Sequence, residues 1–418
     1  MQFTRLIESP RRPDDPMTPV TLDWLRTQRW FRSKQRPMTS VREVDRVDVP
    51  GVELRVLEVA YTDVGRFDWY LMPTIGGREP SDGDGVWHAI AQLIVDGGEA
   101  RGRRGRFVGW RTPALDNIVP SAAEVMPTLA ERRLTVEQSN TSVVLGDRLI
   151  LKLYRLLEAG DNPDLEVSEF LTRAGFADTP PVAGGLIYHP DDGEPSAAAM
   201  LQAFVPSRGD AWGAMLQALG GEPRLGLEMA RTVGDTTARM HRALASAADD
   251  PAFPARAATV DETAGWRASA EHQLAHAVTA VSGEAHDRLV AMAPAITARF
   301  ADTFGAATGE ALVSRVHGDY HLGQLLARAD GGLSVIDFEG EPARPMSERR
   351  AAASPLRDVA GLLRSLDYAA RTTQRDHLGF DGDGWLAQAR AAFLEAYGGI
   401  GPDHSSLLDA FELEKACY

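Results

Sequence analysis

The sequence predicts a bilobal α+β fold with a β-rich front and a helical back. Apolar residues alternate with polar ones in the first 150 residues, whereas beyond residue 200 they recur at three- and four-residue spacing. A chain of 418 residues with 44% hydrophobic content can also bury the cores of more than one structural unit. We therefore expect an N-terminal β-rich cap over 1–90, an intermediate part over 91–200 that completes a β-sheet small lobe, and a mostly helical large lobe over 201–418.

Individual elements of the β-rich front follow from this alternation. Strands are predicted around 52–56 and 67–71, after a short helix between Thr21 and Phe31, and the glycine-rich run 76–85 is predicted as a loop. Two apolar runs separated by Gly146-Asp147 indicate a hairpin over 143–151. A helix is expected over 164–174.

The helical back has fewer but longer elements. Apolar residues at helical spacing predict one long amphipathic helix over 227–244 and another helix over 288–304. The Ala-, Asp- and Pro-rich run 246–263 is predicted as a surface connection, and a buried strand is expected over 333–336.

Composition excludes several classes of function. Fifty-nine acidic residues against 44 basic ones give a net charge of −15, which disfavours a nucleic-acid partner because phosphate neutralisation needs a basic face. Cys417 is the single cysteine, so no internal disulfide or cysteine-based zinc site can form, and a reducing compartment suits the chain. With no apolar run long enough for a membrane span, we expect a cytoplasmic protein without membrane contacts.

One constellation of residues points to phosphoryl transfer, which requires a carboxylate at the acceptor hydroxyl, metal ligands and a lysine on the phosphates. Asp319 lies in His-Gly-Asp-Tyr-His, Gln324 follows five residues later, and Asp337 ends the predicted strand. In the protein-kinase pattern the catalytic aspartate, metal-binding amide and metal-binding aspartate have this order. Lys152 ends an apolar run upstream and precedes a helix whose Glu166 or Glu169 could pair with it. Each signal alone is weak, and their joint order predicts a kinase-like site.

The phosphate-facing hairpin departs from that pattern. The chain has no glycine-rich Gly-x-Gly-x-x-Gly loop and no Walker lysine motif. In its place stands a run of small hydrogen-bonding residues, Ser139, Asn140, Thr141 and Ser142, whose hydroxyls and amides could reach phosphate. An ordinary polar turn explains that run equally well without the rest of the constellation.

Longer motifs carry a family resemblance. The runs 317–324, 336–345 and 354–370, together with Gln28-Arg29-Trp30-Phe31, closely resemble those of bacterial maltokinases, in the aminoglycoside-phosphotransferase-like, protein-kinase-like superfamily. The resemblance implies a protein-kinase-like fold with an N-terminal cap, ATP and Mg²⁺ as cofactors, and phosphorylation of maltose to maltose 1-phosphate for α-glucan and glycogen synthesis. It also raises an association with a trehalose-processing enzyme.

The resemblance assigns roles to positions of this chain. It implies that Asp319 is the catalytic base, that Gln324 and Asp337 hold Mg²⁺, and that Lys152, paired with Glu166, steadies the phosphates. Gln202 and Phe204 would belong to the hinge that holds adenine. Acceptor contacts are expected from four further residues: His321, Glu339, Glu414 and Tyr418. A structural hydrogen-bonding role for His321 remains an alternative.

Two alternatives to maltose phosphorylation stay open at this point. The same scaffold could phosphorylate glucosamine, an aminoglycoside or another small hydroxyl compound. A chain of this fold could also act as a binding module without catalysis. Because such inactive kinases typically lose the base, the metal aspartate or the lysine, the presence of Asp319, Asp337 and Lys152 disfavours the second alternative.

Overall fold

The structure is a computed structural model that describes residues 20–63, 65–134, 139–342 and 344–417. Its contacts divide the chain into two compact units. The first comprises the described residues up to Asn162 together with Val182–Phe204, and the second comprises Pro163–Pro181 and the described residues from Val205 onward. The predicted three-part division at residues 90 and 200 stays a prediction.

The first unit is β-rich, as the alternation predicts. Its strands are β1 (Met38–Val49), β2 (Val52–Tyr61), β3 (Phe67–Thr74), β4 (Glu99–Arg101), β5 (Gly105–Arg111), β6 (Glu131–Arg133), β7 (Asn140–Leu145), β8 (Leu149–Tyr154), β9 (Leu156–Leu157), β10 (Val182–Pro190) and β11 (Ser196–Ala203). They form two sheets, one with the order β1-β2-β3-β9 and one with the order β4-β5-β10-β11-β8-β7-β6. The helices are α1 (Leu22–Thr27), α2 (Val86–Val95), α3 (Ala114–Ile118) and α4 (Ala122–Val125), and a 3₁₀ turn follows at Met126–Thr128.

Two apolar clusters hold the first unit together. In the first cluster, Trp30, Phe31 and Tyr70 pack together with α1 and the inner faces of β1, β2 and β3. Trp30 is therefore a core residue. The second cluster packs α2 against the seven-stranded sheet, where Gly109 permits the closest approach because a Cβ there would lie 2.1 Å from the Leu93 carbonyl oxygen. The predicted hairpin over 143–151 forms β7 and β8, with Gly146 in the left-handed conformation of its turn.

The second unit is mostly helical, and the two units together confirm the predicted α+β class. Its helices are α5 (Pro163–Arg173), α6 (Ala211–Gly221), α7 (Pro223–Leu244), α8 (Val260–Ala280), α9 (Glu284–Ala306), α10 (Met346–Arg349), α11 (Leu356–Asp376), α12 (Gly382–Tyr397) and α13 (Pro402–Cys417). Its short strands are β12 (Ser207–Asp210), β13 (Arg256–Ala257), β14 (Leu312–Val313), β15 (Leu325–Arg328) and β16 (Leu333–Val335), with a 3₁₀ turn at Leu322–Gln324.

The core of the second unit surrounds two long amphipathic helices, α7 and α11. α7 and α11 bury apolar stripes into one cluster, and α12 packs along α7. At the closest point a Cβ on Gly234 would lie 2.3 Å from the Phe393 carbonyl oxygen, so this crossing requires glycine. The long helix predicted over 227–244 is confirmed and begins one turn earlier.

The surface connection predicted over 246–263 is wrong at its end. α8 begins at Val260, because the Thr259 hydroxyl accepts a hydrogen bond from the Glu262 amide while the Glu262 carboxylate accepts one from the Thr259 amide. This reciprocal cap starts a helix inside a segment whose composition resembles a loop. Across the described ranges, no helix combines the length and apolar character needed to cross a membrane.

Candidate active site

A buried carboxylate on α11 positions the segment His317–His321, which we call the catalytic loop. Asp358 accepts hydrogen bonds from the amides of His317 (2.8 Å) and Gly318 (3.0 Å) and lies 3.1 Å from the His241 Nε2 atom. Burial opposes ionisation of Asp358, but the hydrogen bond from His241 and the neighbouring imidazoles hold its pKa below the usual range. The ionised carboxylate of Asp358 therefore holds the backbone next to Asp319 in place through two hydrogen bonds.

His241 is fixed in turn by Tyr397 on α12. The His241 Nδ1 atom lies 3.0 Å from the Tyr397 hydroxyl, and its Nε2 atom faces Asp358. In that arrangement the tyrosine donates to Nδ1 and Nε2–H donates to the carboxylate. α11 also approaches the loop closely, since a Cβ on Gly361 would lie 2.5 Å from the Tyr320 carbonyl oxygen.

His317 connects the catalytic loop to the end of β16. Its Nε2–H donates to the Ile336 carbonyl at 3.0 Å, and its Nδ1 atom lies 3.4 Å from the Asp319 amide. The two segments also touch through glycines in left-handed conformations, since a Cβ on Gly318 would lie only 3.2 Å from the Gly340 Cα atom. The predicted base and the predicted metal segment are thus held together by backbone contact.

The segment after β16 gathers oxygen ligands. Asp337 adopts φ +69°, the left-handed region that L-residues rarely occupy, and such strain concentrates at functional sites. The carboxylates of Asp164, Asp337 and Glu339 each have an oxygen within 4.8 Å of the others, and the Gln324 Nε2–H donates a hydrogen bond to the Asp337 carboxylate at 3.3 Å. Hard cations such as Mg²⁺ prefer oxygen ligands of this kind. Residues at both predicted ligand positions therefore meet here, and Asp164 and Glu339 join them.

The sequence did not assign Asp164 to a site. It lies in the first turn of α5, where it is buried, and its carboxylate accepts a hydrogen bond from the Phe338 amide at 2.9 Å. Glu339 was predicted to contact the acceptor. Its carboxylate lies near the carboxylates of Asp164 and Asp337, and it is not among the described residues that line the cleft below, so its contact with the acceptor stays a prediction.

Glu166 has two arginine partners in the structure. Arg350 contacts both of its carboxylate oxygens, at 2.7 and 3.1 Å, and Arg315 forms an ion pair with it at 2.9 Å. These contacts tie α5 to the segments around β14 and α10. The pairing of Glu166 with Lys152 remains a prediction.

A cleft of about 1480 Å³ opens in the second unit around the catalytic loop. Asp319, half-buried, and His321 line it. Burial lowers the pKa of His321 despite the opposing charge of Asp319, and its Nδ1 atom accepts a hydrogen bond from the Gly323 amide at 3.0 Å. A neutral His321 on the wall is thus held in one orientation by the loop itself.

A charge network ties the walls of this cleft together. Glu414 on α13 accepts hydrogen bonds from Ser269 on α8 and Arg357 on α11, both at 2.8 Å, and Arg344 links Ser269 to Glu341. Glu414 thus connects α13 to α8 and α11.

Lys415, next to Glu414 on α13, lines the cleft, although the sequence did not assign it to the site. Burial, and after it the positive charge of Arg357, lowers the pKa of its ammonium group. Tyr418 lies outside the described residues.

The nucleotide-binding candidates of the first unit lie on neighbouring strands. Lys152, on β8, is buried and stands opposite Ser142 on β7 and Met200 on β11. Ser139 precedes β7 and Asn140 begins it, both half-buried, while Thr141 and Ser142 are buried. Gln202 pairs with Ile150, and the Phe204 amide donates to the Arg148 carbonyl at 2.8 Å. The lysine, the hairpin and the hinge thus share one sheet, and their nucleotide roles remain predictions.

A buried arginine that the sequence did not assign to the site lies behind this hairpin. The Arg155 side chain is fully buried, and its Nε donates to the Thr141 hydroxyl at 2.8 Å. Its Nη2 atom lies 3.3 Å from Glu79, a carboxylate that also accepts a hydrogen bond from the Trp30 indole. Burial lowers the pKa of Arg155 to about 10. A lone arginine after a strand carries no sequence signal for such burial.

Known proteins resemble this chain in both sequence and fold. Residues 131–406 match the model of the phosphotransferase enzyme family, and residues 24–103 match the maltokinase N-terminal cap domain. The chain belongs to the phosphotransferase enzyme family. This phosphotransferase is 32% identical to a glucosamine kinase from Streptacidiphilus jiangxiensis over 77% of its own length and 71% of the relative. It is 29% identical to a glucosamine kinase from Mycolicibacterium smegmatis over 57% and 59% of the two chains.

A solved structure extends the comparison to the fold. A glucosamine kinase in complex with glucosamine, ADP and inorganic phosphate superposes with a TM-score of 0.68 at 27% identity, over 95% of this chain and 90% of that one. The predicted protein-kinase-like fold and superfamily are confirmed. This phosphotransferase is a sugar-kinase-like enzyme with an alcohol group as acceptor, of an ATP-using family.

Removing the carboxylate charge at Asp337 should weaken the binding of nucleotide with magnesium. We expect Asp337→Asn to lower the affinity for Mg²⁺–ADP by at least about tenfold, because one of three clustered negative charges is lost. Asparagine tolerates the left-handed backbone, so the fold should survive. Calorimetric titration of ADP with and without Mg²⁺ measures the effect, with the exposed Asp302→Asn as the control. An unchanged magnesium dependence would exclude Asp337 as a ligand.

Proposed function

We propose that this phosphotransferase transfers the γ-phosphoryl group of ATP to the anomeric hydroxyl of maltose, giving maltose 1-phosphate and ADP. The match to the maltokinase cap supports the acceptor, as does the segment Phe338–Pro342, which resembles its maltokinase counterpart. The observation that carries the proposal is a large cleft with balanced charge around Asp319. Supply of maltose by a trehalose-processing enzyme in the cytoplasm belongs to the same proposal.

The charges of the cleft suit a neutral acceptor. Among the described lining residues, five carboxylates stand against five cationic side chains, although the whole chain carries a net charge of −15. A polycationic aminoglycoside would need an acidic surface and would meet these cations. The carboxylates are Asp210, Asp319, Glu341, Glu348 and Asp358, and the cations are Arg344, Arg349, Arg357, Arg364 and Lys415.

The size of the cleft suits an acceptor larger than one ring. Small-molecule sites commonly enclose about 300–1,000 Å³ and bury most of the ligand surface. This cleft, at about 1480 Å³, exceeds that range. A single monosaccharide at Asp319 would leave much of it filled with water, whereas a disaccharide would contact more of its wall.

The catalytic loop provides the groups for the reaction at the acceptor hydroxyl. Asp319 orients that hydroxyl and accepts its proton as the new bond to phosphorus forms. Asp358 keeps the Asp319 backbone fixed through the amides of His317 and Gly318, so little reorganisation accompanies the step. Gln324, Asp337, Asp164 and Glu339 are the residues that would hold Mg²⁺, which, when bound, neutralises charge on the phosphates.

Glucosamine is the second candidate acceptor, because the relatives and the superposed structure are glucosamine kinases. Glucosamine offers a single ring and an ammonium group, whereas maltose offers two neutral rings. A site built to hydrogen-bond a second ring discriminates against an acceptor that lacks it, because buried polar groups would be left unpaired. An enzyme built for maltose should therefore have a higher kcat/KM for maltose than for glucosamine, and an enzyme built for glucosamine should show the reverse.

Specificity constants decide between these acceptors. We expect kcat/KM for maltose to exceed that for glucosamine and for kanamycin by at least about tenfold, because only maltose fills a large, charge-balanced cleft. ADP release measured with ATP and Mg²⁺ over maltose, glucose, glucosamine and kanamycin gives the ranking. Phosphorus NMR of the product should show a phosphate on the anomeric carbon. A preference for glucosamine would overturn the acceptor and leave phosphotransfer standing.

A further inference from the structure

One face of α8 forms a wall of the cleft that phosphotransfer itself does not use. Six residues of this helix line the cleft: Gly265, Trp266, Ser269, His272, Gln273 and His276. Trp266, Ser269, Gln273 and His276 are separated by three, four and three residues, so they share one side of the helix. The helix thus presents a continuous stripe to the same space that Asp319 faces.

The chemistry of this stripe is polar and free of carboxylates, lysine and arginine. Ser269 is already engaged with Glu414 and Arg344. His272, Gln273 and His276 are different, because none of the three side chains makes a hydrogen bond to any described part of the protein. Two imidazoles and an amide offer both donors and acceptors, which is the combination that sugar hydroxyls require.

The α8 wall and the catalytic loop rest on different parts of the unit. α8 packs against α9 and α13, whereas the 3₁₀ turn that ends the catalytic region packs against α6, α11 and β12. The α8 stripe is therefore a wall of the cleft on a different element from the catalytic loop, and an acceptor with more than one ring could meet both. The volume of about 1480 Å³ leaves room for that second part.

We propose that His272, Gln273 and His276 form a subsite for the second, non-reacting ring of a neutral disaccharide acceptor. This inference rests on the proposed function and deepens it, because it names the residues that distinguish a disaccharide from a monosaccharide. The three side chains donate to and accept from the hydroxyls of that ring, and the indole of Trp266 lies on the same side of the helix. They take no part in phosphoryl transfer, so a monosaccharide does not depend on them.

The test compares two acceptors that share the reacting ring. Glucose offers the same anomeric hydroxyl as maltose but has no second ring. We expect the triple variant His272→Ala, Gln273→Ala, His276→Ala to lose about 10- to 1,000-fold in kcat/KM for maltose, since each of the three lost hydrogen bonds contributes about two- to tenfold. The value for glucose should stay within about twofold of wild type. The single variants should each produce part of the loss.

Controls on the same helix separate binding from stability. Arg267 and Glu271 form an i,i+4 ion pair on α8 and do not line the cleft. Arg267→Ala and Glu271→Ala should leave the maltose-to-glucose ratio at its wild-type value. Thermal melting of every variant shows whether α8 remains folded, and a general loss of fold would lower both acceptors together rather than maltose alone.

The outcomes distinguish this inference from the proposed function. Wild-type enzyme that prefers maltose over glucose, combined with a triple variant of unchanged ratio, overturns the subsite and leaves the function intact. Wild-type enzyme without maltose turnover overturns both. A ratio that collapses toward one in the triple variant, with glucose turnover preserved and the controls normal, supports the subsite.

Discussion

Replacing Asp319 by asparagine should lower turnover by about 10²–10⁴-fold, the usual contribution of a positioned general base. The asparagine occupies the same space on the cleft wall, but it cannot accept the proton of the acceptor hydroxyl. Nucleotide binding should stay close to wild type, because the clustered oxygen ligands at Asp337 are unchanged. Single-turnover kinetics with maltose and calorimetric titration of ADP measure the two properties separately.

A matched control accompanies this substitution. Asp302→Asn makes the same chemical change on an exposed position of α9 and should have wild-type turnover. Near-normal turnover in purified Asp319→Asn would exclude Asp319 as the base. Equal losses of turnover and nucleotide affinity would indicate instead that the substitution disturbs the loop as a whole.

The second large effect is expected at Asp358, where stability and activity should fall together. In Asp358→Asn, either orientation of the side-chain amide turns its NH₂ group toward at least one of the three donors that now meet the carboxylate, His317, Gly318 and His241. Hydrogen bonds to a charged group contribute about 1.5–3 kcal/mol, and a buried donor left unsatisfied costs about 1–3 kcal/mol, so we expect the unfolding free energy to fall by roughly 2–4 kcal/mol. Turnover should fall as well, because the catalytic loop loses its anchor. Urea unfolding and steady-state kinetics measure both.

The stabilising contribution of Asp358 should depend on pH, because only its ionised carboxylate accepts all three hydrogen bonds. The folded-state pKa of Asp358 is lowered from the ordinary value of 3.8, so its stabilising contribution is present above pH 3.8 and is lost as the pH falls further, toward the folded-state pKa. The difference in unfolding free energy between wild type and Asp358→Asn should therefore be largest near pH 7 and shrink below pH 3.8. A difference that does not vary with pH would show that the ionised carboxylate is not what stabilises the loop.

Local patterns explain what the sequence predicted well. The β7–β8 hairpin, α5 and α7 depend on alternation, a glycine turn or helical spacing within a few residues, so they could be read directly. The start of α8 could not, because its reciprocal cap at Thr259 and Glu262 lies in a run whose composition favours a loop. Local chemistry there outweighed composition.

In the candidate site, too, residues close together in the sequence could be predicted, whereas residues brought together by folding could not. The order of Asp319, Gln324 and Asp337 predicted a phosphotransfer motif because all three lie within twenty residues. Asp164 and Asp358 could not be predicted as site residues, because their carboxylates accept hydrogen bonds from amides 174 and 41 residues away in the chain. Glu166 shows the same limit, because its arginine partners come from segments that only folding brings to α5.

The backbone contact between Gly318 and Gly340 has a consequence for redesign of the enzyme. A Cβ on Gly318 would lie only 3.2 Å from the Gly340 Cα atom, a Cβ on Gly340 would lie 3.3 Å from the Arg349 Cβ atom, and both glycines adopt φ values that suit glycine. The spacing of the reacting groups is thus set by main chain rather than by the walls that select the acceptor. Mutant libraries aimed at new acceptors can therefore vary His272, Gln273 and His276 on α8, provided that these two positions are kept as glycine.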